Sequence, residues 1–497
     1  MGTVHAKEAS VSQNLRNSRN EGVSSNGFNS TNVNQPPSSL NDEENLHKEH
    51  KVNVRPDKLL AVKARVDKIH VDGLKRTKDD IIKSQVKELF KAKDFQDVLI
   101  RTQIVREKLA SLGCFSSIGV YIDTSEGPGA TPEGVEVTFN VREMRRLKGG
   151  INTAVGNNDG SIAVQAVAPN VFGRGEKIQM DYSWGCRADS WNSRNKTNVN
   201  ISAVKPFVDS WLHTVLTGSL FTTSTDFPWS GYTQHDKGLL LDLSFNPQAT
   251  GTLKHNLQYE ATYRRVVPAK TVSFYVREHS GPNLKSALRH ICTIDKRDSE
   301  IFPTMGSFVQ FTTEVAGLGG DIGFVKNELA LQANWTPIEF LTLQLGLQSG
   351  LLRSISNDKK ISIIDEFFLG GPLNVRGFDM RGCGPRVEGN AIGGDAYWAL
   401  ALHAYMPLPF KPGFGDFFRL HGFINGGNVS NFTFKFANNY EENMKIFTEN
   451  ARCTVGGGLV MKIGDVGRIE LNLIMPLLFA RSDVLKQFQF GIGVRYL

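Results

Sequence analysis

Lys177-Ile178-Gln179-Met180-Asp181-Tyr182-Ser183-Trp184 alternates without a break: Ile178, Met180, Tyr182 and Trp184 are apolar, and Gln179, Asp181 and Ser183 are polar. Successive strand side chains point to opposite faces, so this segment puts one face in an apolar medium and the other in water. The same register recurs at Leu239/Leu241/Leu243/Phe245, at Leu257/Tyr259/Ala261/Tyr263, at Leu329/Leu331/Ala333/Trp335 and at Leu341/Leu343/Leu345/Leu347. A soluble β-sandwich or lipocalin-like barrel also alternates, and length separates the two readings. Some 350 residues of such segments, at roughly 20 per strand with its connection, predict about 16 strands, in the range of membrane barrels. All six tryptophans (Trp184, Trp191, Trp211, Trp229, Trp335 and Trp398) fall in this part, as interfacial aromatic girdles require.

Working outward divides the 497 residues into three. Residues 1–62 are rich in Asn, Ser, Lys and Glu and read as a disordered tail, with His47, Glu49 and His50 as solvated side chains rather than a metal site. Residues 63–144 follow a β-α-α-β-β pattern. Val66, Ile69 and Val71 form a strand, and Thr77 with Asp80 has the spacing of a capping box. Ile82, Val86, Leu89 and Phe90 make one helical stripe, and Ile100, Ile104, Val105, Leu109 and Leu112 another that stops at Gly113. Two strands, 118–122 and 134–141, complete a small α+β domain. Residues 145–497 are the barrel, making the fold class an all-β transmembrane barrel of about 16 antiparallel strands behind one α+β domain.

Several function classes drop out. The longest apolar run, from Leu473 to Ala480, is broken by Pro476 and far too short for a membrane-spanning helix. The first residues lack the charge and apolar pattern of a secretory signal, so an internal signal is expected. The five cysteines form no C-x-x-C pair, and neither a disulfide framework, a metal nor a cofactor is expected. The net charge of +7 is scattered, which speaks against nucleic acid and fits a basic lumen or an anionic lipid surface. No phosphate loop near Gly317–Gly323, no G-x-S-x-G turn and no H-E-x-x-H motif points to an enzyme. His403 and His421 read as polar lumen residues, and no catalytic residue is assigned.

The segment Phe367-Phe368-Leu369-Gly370-Gly371-Pro372-Leu373-Asn374-Val375-Arg376-Gly377-Phe378 carries the most specific information. Its Gly-Gly-Pro bend followed by Val375-Arg376-Gly377-Phe378 closely resembles the lumen-loop motif of the barrel-assembly outer-membrane superfamily. That resemblance implies a loop folded back into the barrel with Arg376 against the inner wall. The front domain resembles a single POTRA domain through Val71-x-Gly73-Leu74-x-x-Thr77 and Leu112-Gly113-x-Phe115. One POTRA domain without a secretory signal is similar to the central barrel subunits of the mitochondrial sorting and assembly machinery.

The resemblance implies insertion of β-barrel precursors into the mitochondrial outer membrane, with the POTRA domain and both termini in the intermembrane space. Implied partners are unfolded β-barrel precursors, metaxin-type subunits of the machinery, the inner-membrane organising system and the lipid bilayer. A buried guanidinium needs an acceptor. The superfamily's F-x-D-x-G appears here as Phe423-x-Asn425-x-Gly427, offering Asn425 as a neutral partner for Arg376. The end of the chain, with Gln489, Gly491, Val494 and Tyr496, resembles the sorting signal in the last strand of mitochondrial barrels. Gly149 and Gly150 in the expected first strand, Leu147 to Val155, and Gly491 and Gly493 in the last predict a weak lateral seam. A metabolite channel is one competing reading, and it needs neither a front domain nor a lumen loop. A polypeptide-conducting pore within the same superfamily is the other, and a targeting context or more front domains would mark it.

Overall fold

The computed structural model describes residues 62–497 apart from 128–129, 157–158, 188–195, 208–213, 248–250, 357–358, 360, 409–416, 432–444, 446–448, 465–466 and 494–496. The tail and its His47, Glu49 and His50 therefore lie outside the described residues, as do Val494 and Tyr496.

The front unit begins with β1 (Arg65–Asp72), α1 (Asp79–Val86) and α2 (Phe95–Ser111) and ends with β2 (Phe115–Thr124) and β3 (Gly134–Glu143). β3 is central, parallel to β1 and antiparallel to β2. The two helices bury Ile82, Val98, Val105 and Leu109, and the turn after α1 buries Leu89, against Val66, Val137 and Phe139 of the sheet. The α2 stripe differs from the expected one. Val98, Thr102, Val105 and Leu109 face inward, and Ile100 and Ile104 are exposed, as is Phe90 after α1. α2 starts five residues before Ile100, and with 3.6 residues per turn its sheet-facing side is fixed by Val98 and Val105.

The expected capping box is also absent. Lys78 is the N-cap of α1, and Asp79 and Asp80 in its first turn complement the helix dipole. The Thr77 hydroxyl donates instead to Glu143 Oε1 (2.8 Å) and accepts from Asn170 Nδ2 (2.8 Å).

The wall is one antiparallel sheet of 16 strands: β4 (Lys148–Gly156), β5 (Asp159–Pro169), β6 (Lys177–Arg187), β7 (Lys196–Phe207), β8 (Thr214–Phe227), β9 (Tyr232–Phe245), β10 (Leu253–Pro268), β11 (Gly281–Asp295), β12 (Gly306–Gly320), β13 (Phe324–Ile338) and β14 (Leu341–Ser354), then β17 (Ala396–Pro407), β18 (Phe418–Ser430), β19 (Arg452–Ile463), β20 (Gly467–Leu478) and β21 (Phe488–Gly493). Between β14 and β17 the chain turns into the lumen, where β15 (Arg386–Val387) and β16 (Asn390–Ala391) form a short hairpin. Each strand pairs with its neighbour in chain order, and β4 and β21 stand at the two ends of the sheet. Because strands alternate in direction and are even in number, β21 ends on the side where β4 begins.

The outward face has the predicted register: Ile178, Met180, Tyr182, Trp184, Leu345 and Trp335 are all exposed. The inward face is polar and crowded. Gln234, Asp236, Thr262, Arg264, Lys285, Glu314 and Gln344 are buried inside it.

The front unit grips the barrel at the β5–β6 turn. Gly173 and Gly175 take φ of +88° and +82° there, letting the turn approach Arg76 and Leu112 closely. Asn170 Nδ2 reaches Thr77, Arg174 pairs with Asp80 at 2.7 Å, and the Lys78 N–H donates to the Gly173 carbonyl at 2.9 Å. Beneath this contact, Glu143 Oε1 accepts from the N–H groups of Lys75, Arg76 and Thr77 at 2.9–3.0 Å. Burial pushes the Glu143 carboxyl up, but the amides of Arg76, Lys75 and Thr77 outweigh it and hold the group at about 2, well below the ordinary carboxylate range. The sign follows: its contribution is fully present above the ordinary carboxylate range and is lost as pH falls through about 2. Glu143→Gln should weaken the front unit by about 2–3 kcal/mol, the value of hydrogen bonds to a charged group, with raised hydrogen exchange at Lys75–Thr77 as the readout.

Candidate functional site

The described residues from Ile355 to Asp395 form a lumen loop, and three of its ties to the wall bear on the site. Its bend is made locally: Gly370 and Gly371 have φ of +107° and +118°, and Asn374 Oδ1 accepts from the N–H groups of Gly370 (3.1 Å) and Val375 (2.7 Å). That turn aims Val375 and Arg376 at the late strands, and both are fully buried.

Arg376 pairs with a carboxylate, and the residue is Glu470 on β20 (Nε to Oε2, 3.0 Å). The expectation that Asn425 receives it is corrected here. Asn425 is buried on β18, and neither of its side-chain polar atoms has a hydrogen-bond partner among the described residues. The physical reason is charge: a fully enclosed guanidinium gains more from a carboxylate than from an amide. β18 still contributes. The Phe423 ring lies 5.1 Å below the Arg376 guanidinium, and Gly427 leaves the space that Val375 fills, since a Cβ there would sit 3.2 Å from Val375 Cγ2.

Around the pair, Arg468 reaches Glu470 Oε1 at 3.0 Å, Asn472 Nδ2 donates to Oε2 at 3.0 Å, and His421 Nε2 lies 2.6 Å from Asn472 Oδ1. His403 Nε2 is 2.8 Å from the Leu497 main-chain oxygen, which also accepts from Arg376 Nη1 at 3.4 Å.

The motif also holds the last strand. The Gly377 N–H donates to Gln489 Oε1 (3.1 Å), and Gln489 Nε2 donates to the Phe378 carbonyl (2.6 Å). Two stretches singled out separately in the sequence, the loop motif and the start of the sorting-signal-like strand, thus meet through Gln489. Gly377 has φ of +91°, and a Cβ there would lie 2.8 Å from Ile474 and 2.9 Å from Thr454, so only glycine fits. Of the seam glycines, Gly149 and Gly150 lie on β4 opposite Ala166 and Gln165, and Gly491 and Gly493 lie on β21 opposite Glu470 and Arg468. No hydrogen-bonded ladder joins β4 to β21 among the described residues.

Sequence reasoning missed the other two ties. Asp365 accepts from Arg264 Nη1 of β10 at 2.7 Å, and its carbonyl accepts from Lys326 Nζ of β13 at 3.0 Å. Lys285 and Arg289 of β11 join this cluster through Glu260 of β10 and Glu314 of β12, with Arg289 directly across from Glu314 and Glu314 across from Lys326. Arg381 reaches the β8–β9 turn, donating to Ser230 Oγ (2.8 Å) and the Tyr232 hydroxyl (3.1 Å), with its guanidinium 3.7 Å from the Phe368 ring centre and 4.2 Å from that of Phe227. The available signal was the charge at inward positions of the alternating strands, as in Glu260 and Arg264. The arrangement places a multiply tied loop in the lumen, and no cluster of His, Cys, Asp and Glu that could hold a metal ion is present among the described residues.

A family model described as the Omp85 superfamily domain matches residues 170–496. Sorting and assembly machinery component 50 homolog B of Xenopus laevis is 40% identical over 442 residues, covering 87% of this chain and 90% of its own. The Homo sapiens homologue is 39% identical over the same span, and a SAM50-like protein of Drosophila melanogaster is 34% identical over 447 residues, covering 88% of this chain and 96% of its own. Among solved structures, BamA from Haemophilus ducreyi lacking POTRA domains 1–3 superposes with a TM-score of 0.69 at 18% identity, covering 86% of this chain and 84% of that one.

Proposed function

Because the chain belongs to the Omp85 superfamily and, within it, to the sorting and assembly machinery component 50 family, we propose that it assembles β-barrel precursors into the mitochondrial outer membrane through a lateral seam between β4 and β21. The observation that carries this reading is the asymmetry of the two edges. β21 is held from inside by Gly377 and Phe378 through Gln489, while β4 has a hydrogen-bonded ladder only with β5 among the described residues. An edge strand without a second partner offers a row of unpaired N–H and C=O groups, which is what a client's terminal strand needs for pairing. Gly149 and Gly150 on β4 and Gly491 and Gly493 on β21 add little side-chain packing across such a seam.

In this reading the front unit is a POTRA domain in the intermembrane space, on the side where β4 begins and β21 ends. Unfolded precursors and lipid are its partners, together with metaxin-type subunits and the inner-membrane organising system. A passive metabolite channel fits less well, because the lumen carries the loop and its three ties.

Cysteine cross-linking tests the seam. A client arrested during import should form disulfides with cysteines placed singly along β4, with alternating efficiency as expected for a paired strand. Normal client insertion with β4 and β21 locked together by a disulfide would refute it.

A further inference from the structure

The lipid-facing side of the barrel is apolar at Met180 on β6, Leu402 on β17, Ile424 on β18 and Leu473 on β20. It departs from this on β10–β13. Directly paired residues share a face, so the register sets His290, opposite Leu257, and Thr313, opposite His290, on the outer side, followed by Asn327 opposite Thr313. His255 lies on the same face, with its Nδ1 3.1 Å from His290 Nε2, and Thr313 Oγ1 donates to Asn327 Oδ1 at 3.0 Å. A polar row thus crosses four adjacent strands, with His290 and Thr313 well inside the lengths of β11 and β12. These are the seventh to tenth of the 16 strands, half-way round from β4 and β21.

Polar side chains facing hydrocarbon are costly unless another polar group meets them. The internal pairs leave groups over: two imidazoles joined by one hydrogen bond still present one N–H and one ring nitrogen, and Asn327 keeps its amide N–H groups. Charge defines what should meet them. The outer face of β9–β13 carries His235, Lys237, His255, Arg265 and His290 and no acidic side chain among the described residues. Asp236, Asp242, Glu260, Glu314 and Glu328 all point to the lumen.

We propose that this row docks one transmembrane α-helix of a partner subunit, carrying a carboxylic side chain level with His255 and His290. The row spans about 15 Å at the usual strand spacing, about three turns of a helix. Strands tilted by about 40° make the row climb at about the same angle from the membrane plane, and a helix tilted within the usual range of up to about 40° stays in reach of it. A second copy of this chain fits poorly. Two such rows related by a two-fold axis along the membrane normal lean opposite ways and cross at nearly a right angle, so they touch at one point. The position opposite the seam lets the helix stay bound while clients pass.

The test places a photo-crosslinking residue at Thr313 in the full-length chain in its own membrane, with Ile424 on β18 as the comparison position. The expected product is an adduct with a helical membrane protein whose span contains Asp or Glu. It should form at Thr313 at least five-fold more than at Ile424. It should fall at least five-fold in the His255→Leu/His290→Leu variant, and equally when the partner's acidic residue is replaced by Leu. Client insertion by the purified double variant should stay normal, which shows that it folds. Adducts with lipid alone, an adduct with a second copy of the chain, or a partner adduct indifferent to either substitution would each overturn the proposal.

Discussion

Arg376→Ala should reduce insertion of a porin-type precursor by purified protein in vesicles more than ten-fold while leaving the barrel in the membrane. Glu470 is fully buried, and the substitution leaves its Oε2 with Asn472 alone while Arg468 stays on Oε1. Removing one partner of a buried ion pair costs about 3–5 kcal/mol, and the remaining arginine keeps the loss toward the lower end. The loop's hold on the last strand should then weaken, because Gly377 and Phe378, which bond Gln489, directly follow Arg376, while the main-chain bond from the Lys486 N–H to the Gly377 carbonyl remains. A disulfide engineered between the loop and β21 should form poorly in the variant. Arg376→Lys should give an intermediate defect, since a single ammonium cannot present Nε to Glu470 and Nη1 to Leu497 together. Normal insertion with a normally placed loop in Arg376→Ala would show that the contact is structural ornament.

The second large effect is expected at the opposite wall. Asp365→Ala leaves Arg264 with Glu260 at 3.8 Å as its remaining ion pair, among Lys285, Arg289 and Lys326. An uncompensated charge in that enclosed cluster costs about 3 kcal/mol or more, and the temperature at which the barrel loses its compact electrophoretic form should fall accordingly. Arg264→Gln alone should be comparably harmful. The double variant Arg264→Gln/Asp365→Asn should be less harmful than the sum of its parts, because both charges go together. Additive losses in that cycle would mean the two residues do not act as a pair.

The barrel was legible because alternation at period two is forced on any strand with lipid on one side and water on the other, as Ile178 to Trp184 shows. The loop motif was legible through its resemblance to the superfamily's lumen loop, and the bend in it because Gly370 and Gly371 take positive φ. Its acceptor was not legible. Asn425 and Glu470 both point inward from late strands, and only the pairing across β18, β19 and β20 decides which one the guanidinium meets. Asp365 and Arg381 escaped for the same reason: their partners Arg264 and Tyr232 lie more than a hundred residues earlier, and side-chain reach across a lumen leaves no periodic trace. In the front unit the helices were visible, but the rotation of α2 was not, since Ile100 and Ile104 sit beside Val98 and Val105 in a sequence apolar on two faces.

The grip of the front unit on the β5–β6 turn sets a load path. Force applied to that unit enters the wall through Asn170 and Arg174, one hairpin in from the edge, as well as through the short connection into β4. On the proposed reading, in which β4 exchanges partners at its outer edge, part of the pull would bypass that strand. The same clamp ties any rotation of that unit to β5 and β6, the strands next to the edge of the sheet.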